Sequence, residues 1–264
     1  MNLVENYNAA TSAAKKSVSF TNEMESILDR GWAISSDLEN GIGMDGVIIT
    51  GLNPSYNETQ DKSEICKYSY SDALSDIERA KKYEKYWWVK RQYWIRAKDV
   101  FGEPGDIAKN IGFIDLFPIC CTSQKDFMLF DIEDRKQILK SYLILETQRA
   151  IEDLHPRVII HSNRTSSFYW GVNQQKPWMG YISESVNMTK EDVPDEIRKL
   201  WRPDIDIRII KDISKDERCI WKGPSQLVDK KSYLVIYKQL GYQYIKHPIE
   251  DRKVFERLFH ILGV

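Results

Sequence analysis

At 264 residues, 42% of them hydrophobic and including 14 Tyr, 9 Phe and 8 Trp, the chain is long and apolar enough to bury a sizeable core. A formal net charge of −1 excludes a global field that would advertise a polyanionic partner, so any nucleic-acid surface must be a local patch. The four cysteines (Cys66, Cys120, Cys121, Cys219) show no CxxC spacing, and neither a disulfide framework nor a zinc or iron–sulfur site is expected.

The opening "MNLVENYNAATSAAKK" lacks the apolar stretch of a signal peptide, and no apolar run approaches a membrane span. A reduced, cytoplasmic protein is the expectation. "FTNEMESILDRGW" reads as a short helix with Thr21 or Asn22 as its cap and Gly31 as its stop. "GVIIT" (46–50) is an uninterrupted, β-branched apolar run, the pattern of a strand covered on both faces. "SDALSDIERAKKYEKYWWVKRQYWIRAKDVFG" carries one long helical pattern or two successive ones, ending at Gly102.

"IGFIDLFPIC" (111–120) is a second strand candidate, closed by Pro118. "DIEDRKQILKSYLILETQRAIEDLHP" is the clearest helix, with Asp131 as cap, Pro156 as stop, and Ile138, Tyr142, Leu145, Ala150 and Leu154 near helical spacing. "RVIIHS" (157–162) follows as a third strand, and "IDIRIIKDI" lies as a further one within a charged, Trp-rich stretch. "YQYIKHP" reads as the last strand, before a closing helix with Val254, Phe255, Leu258, Phe259 and Leu262 on one face. Strands alternating with helices predict a parallel sheet with crossover helices. The expected organisation is one domain over 1–264, with a helical extension at 1–42 and an insertion near 172–230.

In such sheets ligands bind outside the carboxyl ends of the strands. Polar chemistry gathers at those ends: Asn53-Pro54-Ser55 after the first strand, Asp115 at the second, His161-Ser162-Asn163 at the third and His247-Pro248 at the last. A nucleophilic serine at Ser55 or Ser162, working with a His and Asp115, is a rival reading. No Gly-x-Ser-x-Gly elbow is present to support it.

"GLNPS" after a buried strand, then "GFIDLFP", then "HPRVIIHSNRTSSFYWG" and a late "HP" before the final helix resemble the uracil-DNA glycosylase superfamily. The Gly-x-Asn-Pro form is most similar to its mismatch-specific and single-strand-selective branches. The resemblance runs from about residue 43 to the last residue and rests on few positions. It implies an α/β fold, three-layer α/β/α around a central four-stranded, mostly parallel sheet. It also implies cofactor-free and metal-free cleavage of an N-glycosidic bond, DNA as partner, no membrane, and a monomer.

By motif position Asn53 is the water-positioning residue, and His247 faces the negative charge developing on the departing base. Gly51, Leu52, Pro54 and Ser55 form the loop; Tyr56 or Tyr70 stacks on the flipped base; Phe117, His161 and Ser162 line the pocket. An amide orients water but takes no proton at neutral pH, so Asn53 should act more slowly than a carboxylate.

Two departures from the family pattern stand out. Asp115 replaces an asparagine that reads the base edge. An ionised carboxylate only accepts, which disfavours uracil and favours a deaminated or modified purine. After His247-Pro248, acidic Glu250 and Asp251 stand where phosphate contact is expected.

"KKYEKYWWVKRQYWIRAK" (81–98) interleaves cations with aromatics. Tyr86, Val89, Tyr93, Ala97 and Val100 make a core stripe, while Lys90, Arg91 and Arg96 are the candidates for a DNA groove. A non-catalytic module that binds nucleotides, nucleic acid or a protein on the same fold is the remaining alternative.

Overall fold

The computed structural model describes residues 3–32, 38, 41–52, 92–102, 105–108, 110–130, 138–161, 164–172, 178–240 and 245–264; for 92–96, 124, 138, 164 and 165 the backbone alone is described. Six strands, β1 (Val47–Gly51), β2 (Ile111–Asp115), β3 (Val158–His161), β4 (Tyr181–Ser185), β5 (Ile205–Ile213) and β6 (Tyr233–Tyr237), form one mixed sheet in the order β2-β1-β3-β6-β5-β4. The first four in that order run parallel, and β5 and β4 add antiparallel to β6. The expected α/β class is met, but the expected four-stranded sheet is corrected: the sheet has six strands, four of them parallel to one another.

The helices described are α1 (Leu3–Ser17), α2 (Asn22–Leu28), α3 (Gln92–Phe101), α4 (Gln124–Met128), α5 (Ile138–Leu154), α6 (Arg164–Tyr169), α7 (Asp195–Arg198), α8 (Gln226–Asp229) and α9 (Pro248–Leu262). Among the described residues no helix is long and apolar enough to cross a membrane.

β1, β2, β3 and β6 are continuous apolar runs because both of their faces are covered. Successive side chains point to opposite faces. Ile48, Ile114, Ile159 and Leu234 therefore enter one core with Tyr7 and Ala10 of α1 and Leu143 and Ile151 of α5. Val47, Phe113, Ile160 and Val235 enter a second core, with Ala97 and Val100 of α3 and Phe255 and Phe259 of α9. Helices thus cover both faces of the sheet.

Several local expectations match the structure. Thr21 caps α2, its hydroxyl accepting from the Met24 amide at 3.2 Å. Gly31 and Gly102 follow helix ends at φ 81° and 69°, backbone that favours a residue without a side chain. The stretch "IDIRIIKDI" is β5.

Two expectations are corrected. Among the described residues the last strand is β6, "YLVIY", ten residues before His247 when counted from Tyr237. Of the segment read as that strand, residues 242–244 lie outside the described residues. Region 172–230, read as an insertion, supplies β4 and β5 to the sheet. On α5 the buried face carries Leu139, Leu143, Thr147, Gln148, Ala150, Ile151 and Leu154, whereas Tyr142 is 38% exposed. The polar members sit inside because they have partners. Thr147 hydroxyl bonds Tyr7 Oη at 2.8 Å and donates to the Leu116 carbonyl at 3.1 Å, and Gln148 Nε2 donates to the Met179 carbonyl at 2.8 Å.

Candidate functional site

The parallel register brings four strand ends to one edge of the sheet. Thr50 pairs with Ile114 on one side and His161 on the other, and His161 pairs with Ile236. One step further, Gly51 pairs with Asp115. The pairing runs on past the strands: the Leu116 amide donates to the Gly51 carbonyl at 3.1 Å and the Phe117 amide to the Leu52 carbonyl at 3.0 Å. The chain that leaves β1 therefore starts alongside Asp115. Asn53, Pro54, Ser55, Tyr56 and Tyr70, expected on that segment, lie outside the described residues, as do Ser162, Lys90 and Arg91. Arg96 falls on α3, where its side chain is likewise outside them.

Asp115 is half-buried, and among the described residues its carboxylate takes no hydrogen bond or ion pair. Burial pushes its pKa up to about 7, because an ionised carboxylate loses hydration there. Its charge is felt at the Tyr7 phenol on α1, which burial raises above its ordinary value, with Glu146 and Asp115 adding to the rise and the Thr147 hydrogen bond opposing it. Two fully buried carboxylates among the described residues are handled differently. Glu152 accepts from Tyr181 Oη (2.6 Å), Ser225 Oγ (2.7 Å) and the Gln226 amide (2.7 Å). Asp251 accepts from Arg202 and from Tyr237 Oη.

His161 is completely buried, with Nδ1 at 3.1 Å from both Thr50 Oγ1 and Ser166 Oγ. Burial lowers its pKa to about 3, which favours the neutral ring in the native protein. Its Nε2 has no hydrogen-bond partner among the described residues, and its ring stands edge-on to Trp170 at 5.3 Å. The sequence drew attention to His161 but not to Thr50 or Ser166. Their signal was the register of β1 against β3, together with a hydroxyl five residues on.

Phe117 is also fully buried, edge-on to Tyr169 at 5.1 Å and tilted against Phe127 at 5.3 Å. His247 is exposed at the N-cap of α9, its side chain making no capping bond, and Pro248 opens the helix. Ile249 beside it is 67% exposed. Of the two acids that follow, Glu250 is exposed, but Asp251 faces inward as the partner of Arg202 and Tyr237. The expectation that both acids stand toward a phosphate is thus corrected for Asp251.

Among the described residues no group of three or more His, Cys, Asp or Glu is placed to hold a metal ion. In comparisons with known proteins, no family model, no curated protein and no solved structure matches the chain.

Proposed function

We propose that the chain is a DNA glycosylase-like hydrolase that cleaves the N-glycosidic bond of a damaged or deaminated base turned out of DNA. One observation supports the reading: the Gly51–Asp115 pairing puts the start of the "GLNPS" segment beside a half-buried carboxyl that takes no partner among the described residues, at the carboxyl edge of parallel strands.

A base inside a duplex is out of reach, so it must leave the stack and enter a pocket. Bond cleavage leaves positive charge on the sugar and negative charge on the base. In this reading Asn53 orients the attacking water through its amide carbonyl, and Asp115 meets the edge of the base. His247, at the N-terminus of a long helix whose dipole favours an anion, stabilises the departing base. One such preorganised donor contributes roughly 3 kcal/mol to the transition state, by analogy with oxyanion holes.

The test is a set of oligonucleotides carrying uracil, hypoxanthine, xanthine or a mismatch, scored for abasic sites. Wild type should release at least one of these bases. Asn53→Ala should abolish release, and His247→Ala should slow it by about 10²-fold. Equal signal from wild type and Asn53→Ala would remove the catalytic assignment.

The exposure of His247 favours a second reading, a module that binds nucleic acid without cleaving it. Retention of lesion-bearing oligonucleotide with no abasic product, weakening as salt rises, would select that reading.

A further inference from the structure

The opposite edge of the sheet carries a side-chain cluster that the glycosylase reading does not use. β1, β3 and β6 begin there side by side, with Val47, Val158 and Tyr233 in register. The segments leading into these strands are tied together. The Asp45 amide donates to the Leu154 carbonyl at 3.1 Å, the Arg157 amide to the Gly46 carbonyl at 2.9 Å and the Tyr233 amide to the Arg157 carbonyl at 2.8 Å. Asp45, His155 and Lys231, at φ 51°, 38° and 50°, are the non-glycine residues at positive φ among the described ones, and all three lie in these segments. Such strain persists only where the surroundings enforce it.

Three side chains close the cluster. Asp45 Oδ1 lies 2.6 Å from Lys230 Nζ and 2.9 Å from His155 Nδ1, and Lys230 Nζ lies 2.8 Å from the same Nδ1. The Asp45 carboxyl is held below its usual range chiefly by the Lys230 hydrogen bond. An imidazole nitrogen carries either a lone pair or a proton. With a lone pair Nδ1 accepts from the ammonium. With a proton it donates to the carboxylate and sets a positive charge against the ammonium. It cannot serve both partners at once.

Among the described residues Asp45 and Lys230 are the charged side chains within hydrogen-bonding reach of that nitrogen. Arg157 is engaged with the Lys230 carbonyl at 2.7 Å. Glu152, a turn back on α5, is engaged with Tyr181, Ser225 and Gln226.

We infer that Asp45, His155 and Lys230 form a pH-sensitive clasp: His155 accepts from Lys230 at neutral pH, and on acidification it takes a proton from solvent, donates to Asp45 instead and releases Lys230. The proton and the ammonium compete for one lone pair. Lys230 caps the end of α8, whose start is fixed by Glu152. Release therefore frees one end of α8 from the start of β1 and leaves the other end tied.

The experiment is ¹⁵N NMR of the His155 ring between about pH 5 and 8, where histidine changes charge. At the upper end Nδ1 should be bare and Nε2 protonated, and the Lys230 Cε resonance should move in step as Nδ1 takes its proton. Lys230→Met should raise the ratio of charged to neutral ring about threefold at a given pH, the size of a part-exposed charge contact. Asp45→Asn should lower that ratio by a similar factor. A residue with only a packing role would not give opposite movements.

The Lys230 and Lys231 amides, which donate to the Gln226 and Val228 carbonyls at 2.9 and 3.0 Å, should lose hydrogen-exchange protection on acidification in wild type. They should keep it in His155→Asn, whose amide oxygen accepts at every pH and whose backbone tolerates the left-handed region. A proton on Nδ1 at neutral pH, a Lys230 resonance indifferent to the ring, or the same loss of protection in His155→Asn overturns the clasp. None of these readouts involves base release, so the clasp and the glycosylase reading stand or fall separately.

Discussion

Arg202 and Asp251 are joined by a charge-assisted hydrogen bond that anchors the first turn of α9 to the segment just ahead of β5. Asp251 Oδ2 also accepts from Tyr237 Oη at 2.5 Å, at the end of β6. The acid that follows His247-Pro248-Ile249-Glu250 is therefore part of the frame that holds the helix start in place. Removing it strands a buried phenol and takes one of the two carboxylates from Arg202, whose guanidinium also bonds Asp204 at 2.8 Å.

Asp251→Ala should cost about 3 kcal/mol, and Tyr237→Phe about 1–2 kcal/mol. Urea denaturation of the two single variants and the double should show a coupling of about 1 kcal/mol or more. Additive losses would show that the contact carries no energy of its own.

The neutral His161 predicts a loss of stability on the acid side. Its pKa falls from an ordinary value of 6.5 to about 3 in the folded protein. The unfolded chain therefore binds the proton first. The contribution is whole above about pH 6.5 and shrinks by about 1.4 kcal/mol per unit as pH falls toward the folded value. His161→Gln should be less stable than wild type at neutral pH by about 1–2 kcal/mol, with the gap closing below about pH 5. Denaturation at stepped pH measures it, and a gap that is independent of pH would contradict the buried neutral ring.

Asp115 predicts the opposite slope. Its pKa in the folded protein lies above the ordinary carboxylate value, so the native state favours the protonated form. Stability from this group is present at low pH and is lost as pH rises from the ordinary value to about 7. Asp115→Asn should therefore be more stable than wild type at about pH 8, by about 2 kcal/mol after allowance for partial exposure, and nearly equal to it at about pH 4. Thermal melts at the two pH values are the check. A group that stabilises the protein when removed is the mark of a residue kept for a ligand.

Glu152 fastens α5 to two other elements through Tyr181 of β4 and Ser225 and Gln226 at the start of α8. A neutral amide cannot accept from all of these donors, because half of its polar capacity is itself a donor. Glu152→Gln should lower stability by about 2–4 kcal/mol. Hydrogen exchange should show the Gln226 and Leu227 amides losing protection before the β1 and β3 amides. Uniform loss would show that the carboxylate acts on the whole fold rather than on this joint.

Much of the parallel half was legible because its signals are local. The run Val47–Thr50 is apolar without alternation, Thr21 stands before an amphipathic turn, and Gly102 ends a helix. The end of the chain was misread for a related reason. "YLVIY" is as strand-like as any segment, yet the motif at His247 drew the strand toward itself. On α5 the apolar spacing found Ala150 and Leu154 but misplaced Tyr142, and it missed Thr147, Gln148 and Glu152, which are buried by partners distant in sequence. Asp251 was misjudged in the same way: nothing near it announces Arg202 or Tyr237. At the candidate site, Asp115 could be named from its motif, but that its carboxyl is half-buried and takes no partner among the described residues is a property of the fold.

The strand order carries a consequence for how the molecule is assembled. β6 lies between β3 and β5, although among the described residues it is the last strand in chain order. Until synthesis has passed Tyr237 there are two separate pieces of sheet, β2-β1-β3 and β5-β4, each with an open edge and nothing to join them. A nascent or truncated chain stopping short of β6 would therefore present two unpaired borders, and a strand from another molecule could fill either one. The final strand and the helix after it act as the keystone of the fold, set in place after everything around them has been made.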